Sequence, residues 1–277
     1  MPLHLESFIT EDKSNNTLSE MLEGVRTAEP LYISKDETIV HSRKRMKDTL
    51  TDEEFGSIIY TLRIEQPIKK LSIIDIDIVL DNDNKTKLQL LNKLPASSEA
   101  NEYYDAEVVG QGGHLQIETV NRNACKEEII DTEQEVYISA FPFSVEIYND
   151  MEEFNKKSGL EKDIKVGEQE LRCNGFADNF MAPASLFQMG IDSNETYTYF
   201  FGKVSSIREV ESEDFGDKVA FLIVCVDSGM GTIPVAMSHE CFDLGELAVG
   251  KVLEMRADIK ADFSTYPPEE EWRNSNV

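Results

Sequence analysis

Four apolar, β-rich segments follow one another between Tyr197 and Phe263, and they constrain the fold more than any other part of the chain. Glycines and acidic turns separate the segments, whose composition is typical of strands. The predicted strands span residues 198–210, 219–227, 231–237 and 251–263, and a short helical or looped connection spans 240–247. Four such strands in succession predict a small closed β-structure. Folds of this kind host many functions, so the function has to be argued from a site.

The first half of the chain is also predicted to be β-rich. Two-residue periodicity or β-rich composition predicts strands at 58–64, 71–80, 85–94, 106–109, 114–120 and 135–148, and a further candidate lies at 170–176. In the second of these, isoleucine alternates with aspartate, which predicts that Asp75 and Asp77 lie on a solvent-facing side. The segments 81–84 and 110–113 are predicted to form hairpin turns. Pro142 predicts an edge, a bend or a bulge.

Two short helices are predicted. Thr17 stands three residues before Glu20 in a capping-box pattern, and apolar residues at helical spacing follow to Val25. Asn149 or Asp150 is placed to cap a second helix that begins at Met151.

The predicted fold class is therefore mainly β (α+β), in two domains. Residues 1–165 form a mostly β domain with short helices, and residues 166–263 form a β-barrel domain. No internal repeat is visible in the sequence. Residues 264–277 contain two prolines and three successive glutamates, and we expect an acidic, disordered tail there.

The charge of the chain restricts its partners. The sequence has 27 Lys plus Arg against 53 Asp plus Glu, a formal net charge of −26 among 277 residues. Such a charge repels phosphate backbones and anionic lipids, so a protein or a cation is expected as the partner before a nucleic acid, and a protein partner is expected to be basic. The competing interpretation is that the charge only maintains solubility.

Three further features predict a cytoplasmic protein. No apolar run of about 18 residues is present, so no membrane-spanning helix is expected. The first ten residues lack the basic and apolar regions of a secretory signal. The four cysteines are widely spaced, and we expect free thiols.

The C-terminal glycine pattern resembles that of an oligonucleotide/oligosaccharide-binding (OB) barrel. The residues that carry this resemblance are Gly202-Lys203-Val204, Gly229-Met230-Gly231 and Gly250-Lys251-Val252. With Ala182-Pro183-Ala184-Ser185-Leu186-Phe187, the same region resembles a group of bacterial proteins with this order of elements. The resemblance covers about the last third of the chain. It implies an OB-like barrel and no particular activity.

Two groups of residues are candidates for binding. The first is a cationic cluster at Arg43, Lys44, Arg45 and Lys47, which has the charge to hold an anion. The acidic residues that follow, from Asp48 to Glu54, favour the alternative of an internally paired, solvated face. The second group is Tyr197, Tyr199 and Phe201, which are spaced to share one face of a strand and could stack bases. Burial in the core is the alternative for these aromatics.

The sequence carries no motif for a metal ion, a cofactor or catalysis. The segment that begins at Asp81 starts like a calcium loop, but Thr86 stands where glycine is needed and Asn92 where glutamate is needed. His239, Cys241 and Cys225 lack the paired spacing of zinc ligands. No nucleophile elbow, phosphate loop or metalloprotease motif is present. No metal and no cofactor is predicted, and an enzyme is disfavoured.

Two functions remain as hypotheses. The first is a non-enzymatic acidic binding protein, inhibitor-like or immunity-like, that presents its charge to a basic protein. The alternative is an OB-type module that binds an oligonucleotide or a small ligand. A hydrolase that uses acidic residues is a third hypothesis, which would require a pocket with converging carboxylates of perturbed pKa.

Overall fold

The structure is a computed structural model, and it confirms that the chain is mainly β. It describes residues 7–9, 11–33, 38–65, 68, 70–94, 102–110, 113–120, 130–158, 161–166, 169–174, 181–183, 197–215 and 218–263. The predicted tail at 264–277 lies outside these residues. Within the described part of the chain, no helix is long and apolar enough to cross a membrane.

The described residues form two α-helices, a 3₁₀ turn at Val25–Thr27 and fifteen strands. The helices are α1 (Glu11–Gly24) and α2 (Met151–Lys157). The first eight strands are β1 (Glu29–Ile33), β2 (Ile39–Lys47), β3 (Glu54–Glu65), β4 (Lys70–Leu80), β5 (Lys85–Leu94), β6 (Glu102–Val108), β7 (His114–Thr119) and β8 (Glu133–Tyr148). The remaining strands are β9 (Glu161–Val166), β10 (Gln169–Asn174), β11 (Met181–Pro183), β12 (Thr198–Ser212), β13 (Val219–Ser228), β14 (Gly231–Met237) and β15 (Val252–Phe263).

Strands β1 to β4 form an antiparallel sheet in chain order, which we call the N-terminal sheet. One side of this sheet packs through Ile58, Tyr60 and Ile78 into a cluster that also contains Phe141 and Phe221. The sheet is therefore attached to the rest of the chain by a shared apolar core. Strands β9 and β10 pair separately with each other.

The nine-stranded sheet contains two closed rings of hydrogen-bonded strands. Its order is β11-β12-β13-β14-β8-β15-β7-β6-β5, with additional pairings of β12 with β15 and of β8 with β5. The additional pairings close one ring through β5, β6, β7, β15 and β8, and a second ring through β12, β13, β14, β8 and β15. Both rings use β8 and β15.

The two rings are related by a structural repeat. The set β5, β6, β7 and β8 has the same order and the same pairings as the set β12, β13, β14 and β15. The last strand of each set, β8 or β15, belongs to both rings. Each ring has one parallel pair, β7 with β15 and β14 with β8. The two parallel pairs lie side by side. Ala140 on β8 is opposite both Val235 on β14 and Ile259 on β15, and Ile259 is in turn opposite Ile117 on β7. The repeat is topological, which is why no repeat was visible in the sequence.

Residues 166–263 supply four strands of the second ring, and β8 from the range 1–165 supplies the fifth. The predicted OB-like barrel and the predicted boundary at 165 remain predictions. One apolar cluster takes side chains from both rings, including Leu90, Ile138, Val224 and Leu253. Burial of this cluster provides the main driving force for closing the rings.

Several local predictions can be compared with the structure. Asp150 caps α2 as predicted, since its side chain accepts a 2.8 Å hydrogen bond from the backbone N–H of Glu153. The strands on either side of the predicted turn at 110–113, β6 and β7, pair antiparallel, and residues 111 and 112 lie outside the described residues. A register shift beside Pro142 confirms a bulge. The capping box at Thr17 is wrong, because α1 begins at Glu11 and Thr17 lies inside it. The hairpin at 81–84 is also wrong, because β4 and β5 belong to different sheets.

Candidate ligand cavity between the two sheets

A cavity of about 410 Å³ opens where the N-terminal sheet meets β8 and β15. Strands β2, β3 and β4 and the 81–84 turn supply one wall, and β8 and β15 supply the other. The lining residues are Arg43, Arg45, Ser57, Val79, Leu80, Asp81, Asn82, Asp83, Tyr137, Ser139 and Asp262. This volume falls within the range of small-molecule sites, roughly 300–1,000 Å³.

Arg45 is held rigidly at the cavity wall. Its two terminal nitrogens donate to the two carboxylate oxygens of Asp81 at 2.9 and 2.5 Å. Its Nε donates to Glu54 at 2.7 Å, and one terminal nitrogen also donates to the hydroxyl of Ser57 at 2.8 Å. A bidentate arginine–carboxylate pair of this kind fixes the plane of the guanidinium.

Arg43 and Asp262 connect the two walls. The guanidinium of Arg43, on β2, donates to Asp262 on β15 at 2.8 Å. Burial raises the pKa of Asp262 to about 6, although the neighbouring Arg43 acts in the opposite direction. The cavity therefore contains a carboxyl whose charge depends on pH near neutrality.

A buried ionic cluster also lies between the two sheets. The ammonium of Lys260, on β15, lies 2.6 Å from Asp77 on β4 and 2.6 Å from Glu118 on β7. Burial lowers the pKa of Lys260, but the two carboxylates more than offset this and hold that pKa above its ordinary value. Burial and the charge of Asp77 raise the pKa of the adjacent Asp75 to about 8. Asp75 is therefore mostly protonated at neutral pH.

These buried positions correct one sequence prediction. Asp75 and Asp77 were predicted on a solvent-facing side of the strand, but only 7% and 3% of their surfaces are exposed. The side of β4 that carries them faces β15 and β7, as their contacts with Lys260 and Glu118 show.

The same three carboxylates are the group that could hold a metal ion among the described residues. Oxygens of Asp75, Asp77 and Glu118 lie within 4.8 Å of one another. The ammonium of Lys260 already supplies a positive charge to two of them. This arrangement fits an ion-paired core better than a cation site. The group contains neither His239 nor a cysteine.

His41 is another buried titratable group, on the same strand as Arg43 and Arg45. Its Nδ1 lies 3.3 Å from the hydroxyl of Thr61. Burial lowers the pKa of His41 to about 4, so its imidazole is neutral at pH 7.

The structure divides the predicted cationic cluster. Arg43 and Arg45 line the cavity. Lys44 pairs with Asp214 at 2.8 Å, and Lys47 pairs with Asp52 at 3.2 Å. Every cation of the cluster therefore has a carboxylate partner.

The three predicted aromatics lie elsewhere, Tyr199 and Phe201 on β12 and Tyr197 directly before it. Tyr197 packs edge-on against Phe143, and Phe201 is fully buried against Phe154 of α2. Tyr199 is partly buried and donates its hydroxyl to Glu254 at 2.5 Å. None of the three lines the cavity.

Sequence reasoning did not select Asp83, Tyr137, Ser139 or Asp262, which complete the cavity. Asp83, β8 and β15 are far apart in the sequence, so no local spacing could have shown that these residues share one cavity. Lys260 gave no local signal either, because it alternates with Ile259 and Ala261 in a pattern that predicts a solvent-facing side chain.

Comparison with family models, with curated proteins and with solved structures finds no match for this chain. The function therefore has to be argued from the cavity and from the charge of the surface.

Proposed function

We propose that this protein acts by binding and that the cavity between its two sheets is the binding site. The observation that carries this proposal is a cavity of about 410 Å³ whose polar side chains are already held in place. Because Arg45 is fixed by Asp81 and Glu54, little side-chain entropy is lost when a ligand binds.

Binding is favoured over catalysis by the chemistry of the wall. Among the described residues, the lining contains no histidine, cysteine or lysine that could activate a nucleophile. The carboxyl of Asp262, whose pKa is raised by burial, is already engaged by the guanidinium of Arg43. The hydroxyl of Ser57 accepts a hydrogen bond from Arg45, and that of Ser139 accepts one from the N–H of Leu80 at 3.1 Å. Neither serine is paired with a general base through these contacts.

The test is a small-molecule screen by NMR on the isotopically labelled full chain. Specific ligands should shift the amides of Tyr137, Ser139 and Asp83 together. Asp83 is exposed in the 81–84 turn, so Asp83→Trp should obstruct the cavity without unfolding the chain. Asp243→Trp, also exposed and not on the cavity wall, is the matched control. Ligands that bind both variants like wild type would overturn the proposal.

A second candidate function is recognition of a basic protein partner. The observation that favours it is the neutralisation of the cationic cluster, since every one of Arg43, Lys44, Arg45 and Lys47 is paired with an acid. The charge of −26 then has no basic patch there to oppose it. The exposed Asp243 and Glu246 between β14 and β15 would be part of such an acidic surface.

The experiment for this second candidate compares two charge reversals. A basic partner retained at low salt should be released at high salt, because surface charges steer its association. Asp243→Lys with Glu246→Lys should weaken retention more than Glu20→Lys with Glu23→Lys on α1, where both glutamates are also exposed. Equal effects of the two pairs would indicate non-specific attraction.

The OB-type alternative applies to the second ring. This ring has five strands, the number in an OB-fold, and the closed hydrogen bonding around the ring supports an OB-like barrel. The burial of Tyr197 and Phe201 argues against stacking of bases on that side of β12.

A further inference from the structure

The cavity wall offers hydrogen-bond donors and acceptors side by side. Arg45 has five N–H donors and uses four of them on Glu54, Ser57 and Asp81, so one remains for a ligand. Asp81 accepts one hydrogen bond on each oxygen from Arg45, so lone pairs remain on both. A ligand group that both donates and accepts, such as an alcohol, fits such a wall.

The charges of the lining nearly balance. Two arginines, Arg43 and Arg45, face three aspartates, Asp81, Asp83 and Asp262. Both arginines are already paired with carboxylates, so an anion would gain little from them and would be repelled by the aspartates. A cation would in turn meet two fixed guanidinium groups. A neutral ligand avoids the cost of desolvating a charge.

The wall also has an apolar component. Tyr137 lies among the lining residues and is partly exposed, whereas Val79 and Leu80 behind it are more than nine-tenths buried. A ligand with C–H surface as well as hydroxyls would contact both parts of the wall.

We propose that the cavity binds a neutral polyhydroxylated ligand, a sugar of one or two rings or a cyclic polyol. Its hydroxyls donate to Asp81 and Asp83 and accept from the remaining N–H of Arg45, while its C–H surface packs on Tyr137. This inference rests on the proposed function, since it names the ligand class of the same cavity.

The test uses calorimetry and NMR with the full chain and three matched probes. Glucose, glucosamine and glucuronate share a ring and differ in charge, so they separate a neutral, a cationic and an anionic ligand. Galactose, mannose, maltose and myo-inositol extend the neutral set. We expect saturable binding of at least one neutral member, with shifts at Tyr137, Ser139 and Asp83, and weaker binding of its charged analogue.

Two variants locate the contacts. Asp83→Asn and Tyr137→Leu should each weaken binding of the neutral ligand about tenfold or more, as expected when a hydrogen bond to a charged group or a contact with an aromatic ring is lost. Asp243→Asn and Tyr103→Leu are controls, since neither residue lines the cavity. Thermal unfolding of each variant establishes that the fold is retained.

The outcomes distinguish this inference from the proposed function. Preferential binding of glucosamine or glucuronate at the cavity would overturn the neutral class and leave the proposed function standing. Absence of binding by every neutral probe at about 50 mM, far above a millimolar dissociation constant, would also overturn it. Failure of both this panel and the wider screen at the cavity would overturn the two proposals together.

Discussion

The ammonium of Lys260 lies 2.6 Å from a carboxylate oxygen of Asp77, and this ion pair joins two sheets across 183 residues of sequence. Both side chains are almost completely buried, as is Glu118, the second partner of the ammonium. A buried charge without its partner is costly, so the three groups depend on one another.

Lys260→Met is therefore expected to destabilise the protein strongly. It leaves Asp77 and Glu118 buried without their counter-ion, and breaking such a pair typically costs about 3–5 kcal/mol. The free energy of unfolding in urea measures this loss. Lys85→Met is the control, because Lys85 is exposed and its nearest contact with Glu135 is 3.7 Å, and surface pairs contribute about 0–1 kcal/mol. A similar small loss in both variants would contradict the prediction.

A compensating variant tests the cause of that loss. Asp77→Asn and Glu118→Gln, added to Lys260→Met, remove the unpaired charges while keeping the side-chain volumes. We expect this triple variant to be more stable than Lys260→Met alone. If it is equally unstable, lost packing and not the uncompensated charge causes the effect.

Asp75 should make stability depend on pH. Its pKa is about 8 in the folded protein, because of burial and the charge of Asp77, against about 4 in the unfolded chain. The folded state therefore retains a proton that the unfolded state loses. The stabilisation from Asp75 is fully present below its pKa in the unfolded chain and is lost as the pH rises through its pKa in the folded protein. Between these two values the free energy of unfolding falls by at most about 1.4 kcal/mol per pH unit.

Asp75→Asn is expected to flatten the stability curve between about pH 5 and pH 8, since asparagine cannot release a proton. Urea unfolding at a series of pH values measures the slope. Asp243→Asn, at an exposed loop position, should leave the slope unchanged. The prediction is wrong if Asp75→Asn has the same slope as wild type.

The sequence predicted the strands better than their arrangement. Alternation located β3, β4, β7, β8 and the strands from β12 to β15 within a few residues, because period-two patterns are local. It missed β1 and β2, since Arg43 to Lys47 is a run of charges with one methionine. The charges of β2 are tolerated in a strand because each cation has a carboxylate partner from another part of the chain or the following turn.

Which sheet each strand joins could not be read from local pattern. The alternation of Asp75 and Asp77 predicted exposure, because the rule assumes that a polar side of a strand faces water. Here that side faces Lys260, which lies far along the chain. The candidate cavity also depends on contacts distant in sequence, since Arg43 on β2 pairs with Asp262 on β15, 219 residues away.

Phe8 should be a major contributor to stability although it precedes the first helix. Its ring lies 4.8 Å from that of Phe221 and 5.2 Å from that of Phe215, and only 1% of Phe8 is exposed. Phe8→Ala removes this contact and is expected to cost about 3–5 kcal/mol in the free energy of unfolding. Leu50→Ala, at a position 75% exposed, should cost well under about 0.5 kcal/mol. Comparable losses would show that the site around Phe8 repacks.

The shared strands predict how fragments of the chain behave. Residues 166–263 lack β8, which pairs with both β14 and β15 in the second ring. Without β8, the edge of β14 and one side of β15 have no partner, and exposed edges of apolar strands promote aggregation. We expect a fragment of residues 166–263 to aggregate or remain unfolded, as judged by circular dichroism and size-exclusion chromatography.

A fragment of residues 130–263 is the matched comparison, because it restores β8 and with it the closed second ring. It should be more soluble and more cooperative in unfolding than 166–263, and less stable than the whole chain, since β15 still lacks β7. Equal folding of both fragments would show that residues 166–263 close on themselves without β8. The repeat would then consist of two independent barrels, and the shared strands would not be required for either.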